Sequence, residues 1–241
     1  MIERIFPTAQ EDQIIEDDPV TTILRRLDVD PMDAIARAQM LEIQKAVFAR
    51  DMIKGIPPLY VDAALDNWKT PTQRHENILG SIRRYCDYVN AKPDESLGLI
   101  LHGIPGDGKT HAAIGILKVI CSRRRKGVFL DMTALADELR REYDDDGRES
   151  PGDIVGDTSN TPIALIDDLG RERLTSDVYA KLTHIVGSRY RSRKLTIITS
   201  NLLWPAEFNR RFGAALVSRL TESCRAIRMP DIDFRTERID Q

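Results

Sequence analysis

Apolar and polar positions change rhythm four times along the chain. Residues 1 to about 20 are polar and acidic, include Pro7 and Pro19, and show no period, which predicts a tail without a packed face. In "DPMDAIARAQMLEIQKAVFARDMIKG", Met32, Ala36, Met40, Ile43 and Val47 recur at steps of three and four and draw one apolar stripe along a helix. Asp30 suits its N-cap, Pro31 its first turn and Gly55 its stop. Such a stripe packs on a core or docks a partner. "GIPPLYVDAALDNW" mixes two prolines with uneven polarity and reads as an irregular connector. A second helix follows from about Thr72 to Asn90 with Ile78, Ile82, Tyr85 and Val89 on one face.

From Leu97 the rhythm becomes strand and helix in alternation. The candidate strands are "LGLILHG", "GVFLDM", "IALIDD", "LTIITSN" and "CRAIRM". Continuous apolar runs separated by helical segments predict an α/β fold, a five-stranded parallel sheet flanked by helices. No internal repeat is visible.

Composition narrows the picture modestly. The 241 residues suffice for one α/β domain with an added segment, and a hydrophobic share of 41% is ordinary for a globular protein. A net charge of −3 predicts no general attraction to nucleic acid, so any such contact must come from local basic patches. Cys86, Cys121 and Cys224 are far apart with no CxxC pair, which predicts reduced core thiols. No apolar run has the length of a signal core or a membrane span, so the expectation is a cytoplasmic protein with no membrane contact.

The chemistry starts at Gly103–Thr110, "GIPGDGKT", which fits GxxxxGK[ST] between a predicted strand and a helix beginning near Lys109. Glycines Gly103, Gly106 and Gly108 let the backbone wrap phosphates with its N–H groups, Ile104, Pro105 and Asp107 complete the loop, and His111 follows in the first helical turn. Lys109 would reach the β and γ phosphates of ATP, and Thr110 would give a hydroxyl to Mg²⁺. A Gly-rich turn before a capped helix is the alternative.

Asp167 and Asp168 end the run "IALIDD". In a phosphate-loop sheet the acid-bearing strand ends beside the loop, so Asp167 is the candidate for Mg²⁺ and Asp168 for orienting or deprotonating the attacking water. A solvated turn residue is the other reading of Asp168. Asn201, closing "LTIITSN", could hydrogen-bond the γ-phosphate or the water, or simply cap its strand.

Taken in order, "LILHGIPGDGKTHAA", "IALIDDLG", "SRYRSRKLTIITSNL", "ALVSRLTESC" and "DFR" resemble the AAA+ ATPases of the DnaC and IstB type, P-loop NTPases of the ASCE class. The similarity covers about residues 54 to 238 and includes the connector. It implies that Asp167 is the Mg²⁺ carboxylate, Asp168 the catalytic acid and Asn201 the sensor of the third phosphate. It also implies that Arg219 in "SRL" is an arginine finger acting on a neighbouring subunit, and Arg235 in "DFR" a second sensor in its own subunit. By this resemblance, 1–53 is an acidic tail and helical partner-binding arm, 54–95 a linker with its leading helix, and 96–241 the ATPase core. With few residues after "DFR", the expectation is an ATPase core with no full C-terminal helical lid.

Two partner sets fit that resemblance. A helicase loader would grip a DnaB-type replicative helicase hexamer with its arm, bind single-stranded DNA and self-assemble into an ATP-bridged oligomer; an IstB-type transposition helper would bind duplex DNA and a transposase. The short acidic arm favours the loader. Arg140, Arg141 and Tyr143 in "DELRREYDDDGRE" supply the cations and aromatic that single-stranded DNA needs, opposed by Asp144, Asp145 and Asp146. The runs "SRRRKG" and "RYRSRK" read as solvated helix-end charges. A P-loop small-molecule kinase is the reading from a different class, and no acceptor pocket is recognisable for it.

Overall fold

The computed structural model describes residues 52–123, 125–141 and 151–236, with side chains for all of these except 138, 140, 141 and 151–153. The predicted arm helix up to residue 51, the acidic tail, Tyr143 and the side chains of Arg140 and Arg141 lie outside the described set. The compact unit that begins at Met52 holds the sheet and all the helices described below.

The strands are β1 (Ile53–Lys54), β2 (Gly98–His102), β3 (Gly127–Asp131), β4 (Ile163–Asp167), β5 (Leu195–Ser200) and β6 (Cys224–Arg228). They form one sheet in the order β1-β3-β4-β5-β2-β6, with every pairing parallel. The α/β expectation holds, but the sheet has six strands instead of five. The extra one is β1, where Ile53 pairs with Gly127 and Lys54 with Val128. Ile53 and Lys54, which the sequence reading placed at the end of the arm helix before Gly55, are strand instead, because they meet the free edge of β3.

The helices are α1 (Gln73–Ala91), α2 (Lys109–Cys121), α3 (Met132–Arg141), α4 (Pro151–Asn160), α5 (Ser176–Arg191), α6 (Ala206–Phe212) and α7 (Ala214–Ser223). β2 and β4 are buried along their whole length, as strands covered on both faces must be. One core cluster joins β2–β5 to α3, α5, α6 and α7 through Leu135, Leu182, Ile185, Phe208, Phe212, Leu216 and Leu220. Across the sheet, α2 buries Ala112, Ile114, Ile116, Leu117 and Ile120, so little of it reaches solvent. Each such large aliphatic side chain contributes about 1.5–3 kcal/mol by leaving water. Cys86, Cys121 and Cys224 are buried free thiols, and burial pushes them up to about 12, 12 and 11.

The connector is a strap along α2. It contains two short 3-10 turns, Pro58–Tyr60 and Leu65–Asn67. His111, Gly115 and Lys118, at i, i+4 and i+7, present one helix face to it. The Lys118 ammonium donates to the carbonyls of Val61 and Ala63, and His111 Nε2 lies 3.0 Å from Ala64 O and 2.7 Å from Asn67 Oδ1. Gly115 allows the close approach: a Cβ there would stand 2.8 Å from Leu65 N.

Arg189 corrects a reading of the sequence. The "RYRSRK" run looks like solvated charge, yet Arg189 on α5 is 1% exposed. Its guanidinium donates to Thr158 O at 2.6 Å, Thr161 O at 2.8 Å, Pro162 O at 3.2 Å and Thr196 Oγ1 at 2.9 Å, and also to Leu195 O. The end of α4, the start of β4 and the start of β5 are thereby tied to one side chain. Burial lowers the Arg189 pKa to about 10, which leaves it charged at neutral pH.

Candidate active site

Parallel strands deliver their C-terminal residues to one edge of the sheet, and the loop after β2 lies there beside the ends of β3, β4 and β5. Gly106 and Gly108 take φ of +82° and +81°, which turns the chain back so that α2 starts at Lys109. Neither position has room for a side chain: a Cβ on Gly106 would strike Asp233 Oδ1, and one on Gly108 would stand 2.7 Å from the indole nitrogen of Trp68. The C-terminal segment docks here, Phe234 N donating to Gly106 O at 3.0 Å. Trp68, His75 and Phe234 form a tilted aromatic row beside the loop, with centroids 5.8 and 5.5 Å apart.

A chain of hydroxyls and carboxylates crosses from the loop to the acid strand. Thr110 Oγ1 donates to Asp167 Oδ1 at 2.9 Å, and Thr199 Oγ1 donates to the same oxygen at 2.6 Å. Thr199 in turn accepts from the backbone N–H of Asp168 at 2.9 Å, so one buried threonine sets the positions of both acids. Burial raises the Asp167 carboxyl to about 6; the two threonine donors oppose the rise, while Asp168 and Asp131 add to it. Asp131 pairs in register with Asp167, and its Oδ1 caps α3 through Thr133 N at 2.7 Å.

Asp168 has φ of +54°, an uncommon conformation that a short polar residue tolerates, and it turns the chain out of the sheet. Its Oδ2 pairs with Arg171 at 3.1 Å, and the Arg171 side chain is 64% exposed, so solvent screens the pair. The following loop is held by Glu172, whose Oε2 accepts from Gly170 N at 2.7 Å and whose backbone carbonyl accepts from Arg211 of α6.

One cavity of about 680 Å³ collects most of the sequence-selected residues. Pro105, Gly106, Asp107, Gly108, Lys109, Thr110 and His111 line it, together with Asp167, Asp168, Asn201 and Arg235. Gly103 and Ile104 lie behind the lining, where their carbonyls accept from the Lys109 ammonium at 3.2 and 2.6 Å. Arg219 does not line the cavity; its side chain lies against Gly187 of α5. Sequence reasoning missed Tyr60, Phe129, Asp131 and Arg171, which also line the space, and Thr199 beneath it. Thr199 had a signal: it sits in the same polar strand ending, two positions before Asn201, where alternation along an extended chain points both to one side. Burial, with Asp167 next, raises the Tyr60 phenol, whose hydroxyl faces Thr110.

Thr110 and Asp167 suit Mg²⁺. They offer hard oxygen donors 2.9 Å apart, and Mg²⁺ is held by one or two protein oxygens with phosphates and water supplying the rest. Among the described residues no group of three or more His, Cys, Asp or Glu is placed to hold a metal ion.

A parallel α/β sheet with a glycine-rich phosphate loop at its C-terminal edge, beside an acid-tipped strand, defines a P-loop NTPase of the AAA+ type. The chain belongs to the IstB-like ATP binding protein family, which matches it over residues 70–239. It is 25% identical over 150 residues to the replicative helicase loader DnaC of Buchnera aphidicola subsp. Acyrthosiphon pisum (strain APS), covering 61% of this chain and 59% of that protein. It is 24% identical over 149 residues to the replicative helicase loader DnaC of Escherichia coli (strain K12), covering 61% and 58%. The chain thus spans about three fifths of the length of these curated relatives. The crystal structure of the DnaC helicase loader superposes with a TM-score of 0.62 at 30% identity, covering 72% of this chain and all of that one. Among the described residues no helix is long and apolar enough to cross a membrane.

Proposed function

We propose that this chain is an ATP-dependent helicase loader of DNA replication, which hydrolyses ATP while it binds a replicative helicase hexamer and single-stranded DNA. The observation that carries the nucleotide reading is the Thr110–Asp167–Thr199 chain, which joins the phosphate loop to the acid strand. The likeness to DnaC supports the loader role.

Each residue of the site has a task in this reading. Lys109 neutralises charge on the β and γ phosphates, and the N–H groups of the loop orient them. Thr110 and Asp167 hold Mg²⁺, which when bound supplies positive charge to the phosphates. Asp168 orients the attacking water and takes its proton as the bond from the γ-phosphorus to the bridging oxygen breaks, leaving ADP and phosphate. Its pair with Arg171 opens for that step. The Asn201 amide fixes the water or the γ-phosphate, and Arg235 reaches the nucleotide from the docked C-terminal segment. Arg219, turned away from its own cavity, acts on the nucleotide of a neighbouring copy, so that an ATP-bridged oligomer builds the complete site. Residues 1–53 serve as the arm for the helicase, 54–95 as linker and leading helix, and 96–241 as the ATPase core. Arg140, Arg141 and Tyr143 are the DNA-contact candidates.

The decisive experiment mixes the full chain with a DnaB-type helicase hexamer, ATP and single-stranded DNA. A stable complex and faster helicase loading are expected, both lost in Lys109→Ala. Failure to bind the helicase, combined with ATP-dependent assembly on duplex DNA, overturns the loader in favour of a transposition helper. Phosphate transfer to a metabolite without DNA dependence overturns both.

A further inference from the structure

Asp107 departs from what a phosphate loop needs. Its Oδ1 accepts from the backbone N–H of Lys109 at 3.1 Å and from the Lys109 ammonium at 2.8 Å. These are the donors that such a loop offers to nucleotide phosphates. An ammonium has three hydrogens, and the other two go to Ile104 O and Gly103 O, so none is left over. A polyphosphate can reach Lys109 only by taking a hydrogen from one of these acceptors, and Asp107 is the one that carries charge.

Stability alone does not account for the arrangement. Asp107 is 1% exposed and Lys109 5%, and a buried ion pair gains little net stability because both ions lose water. Moreover Oδ2 of Asp107 is buried with no partner, against Gly103, where even a methyl group would clash with it. An orphaned carboxylate oxygen costs free energy. That cost makes the carboxylate easier to dislodge.

We propose that Asp107 is an affinity-setting residue: its Oδ1 competes with phosphate oxygens for the amide and ammonium of Lys109, and a bound polyphosphate displaces it. The proposal rests on the reading of this cavity as an ATP site. A chain built in this way binds nucleotide more weakly than its loop would allow and exchanges it faster. The burial that raises the Asp107 carboxyl, against the opposing pull of Lys109, agrees with a carboxylate held at some cost.

The test measures ATP and ADP affinity of the full chain by displacement of a fluorescent ATP analogue. Asp107→Asn keeps the shape and removes the charge; Asp107→Ser removes the reach. Both are expected to tighten ATP about tenfold, the worth of one charge-assisted hydrogen bond. In a Lys109→Ala background the same substitutions are expected to tighten ATP by much less, because the contested ammonium is gone and only the backbone N–H remains. Unchanged or weaker affinity in both single variants overturns the proposal while leaving the ATP site intact. Equal tightening in the Lys109→Ala background also overturns it, by making Asp107 a source of simple repulsion. Absence of ATP binding in the wild type and every variant overturns the site reading itself.

Discussion

Replacing Asp167 by Asn is expected to make the nucleotide-free protein more stable while removing its Mg²⁺-dependent nucleotide binding. The Asp167 carboxyl lies at about 6 against an ordinary 3.8, chiefly because burial disfavours its charge. That gap of about 2 pH units, at about 1.36 kcal/mol each, means that ionisation costs the folded state about 3 kcal/mol. The folded form holds this proton more tightly than the unfolded chain does. The group therefore favours folding fully at the acid end, and its contribution is lost as pH rises from about 4 to about 6. Above that window the loss is complete. Asparagine is never charged, and its Oδ1 can still accept from Thr110 and Thr199. At pH 7.5 the variant should exceed the wild type by about 1–3 kcal/mol, a rise of about 3–10 °C in unfolding midpoint for a chain of this size. At the acid end of the window the two should converge. Denaturant and thermal unfolding of both proteins across this range measure the difference directly. A wild type at least as stable as Asp167→Asn at pH 7.5, or a gap that widens on acidification, refutes the reasoning.

Other substitutions separate the remaining roles. Asp168→Asn should bind ATP nearly as the wild type does and stop hydrolysis, measured by phosphate release; retained turnover would make Asp168 a turn residue. Arg219→Ala should keep nucleotide affinity and lose the hydrolysis that rises with protein concentration, and a wild-type response to concentration would refute a role between subunits. Arg189→Met should lower stability by about 3–5 kcal/mol, since several buried carbonyls lose their donor at once; a loss below about 1 kcal/mol in urea titration would show that water replaces the guanidinium.

The parts of this protein that were legible in the sequence are those written in adjacent residues. "GIPGDGKT" contains its own geometry, because each glycine marks a turn that the next residues require, and the apolar run before Asp167 fixes where that strand ends. Lys109, Thr110, Asp167, Asp168 and Asn201 accordingly line one cavity. What depends on distant register was harder to read. Thr199 matters because β5 lies beside β4, with Ile198 opposite Ile166, and that is a tertiary fact. Ile53–Lys54 is too short to show a strand period and was absorbed into the preceding helical pattern. Arg189 failed for a third reason: charge in a sequence says nothing of burial, and here the partners are carbonyls, which no residue code displays. In the same way, the motif leaves the residue at Asp107 open, and only the fold turns its carboxylate inward onto Lys109.

The Trp68 indole beside Gly108 gives the chain an optical gauge of its own. It stands within van der Waals distance of the loop where phosphate charge arrives, buried and packed against His75. Trp204, the second of the two tryptophans, packs against Phe208 instead. In a Trp204→Phe background the remaining emission would come from the loop alone, so nucleotide entry and exit could be timed in stopped flow with no label attached.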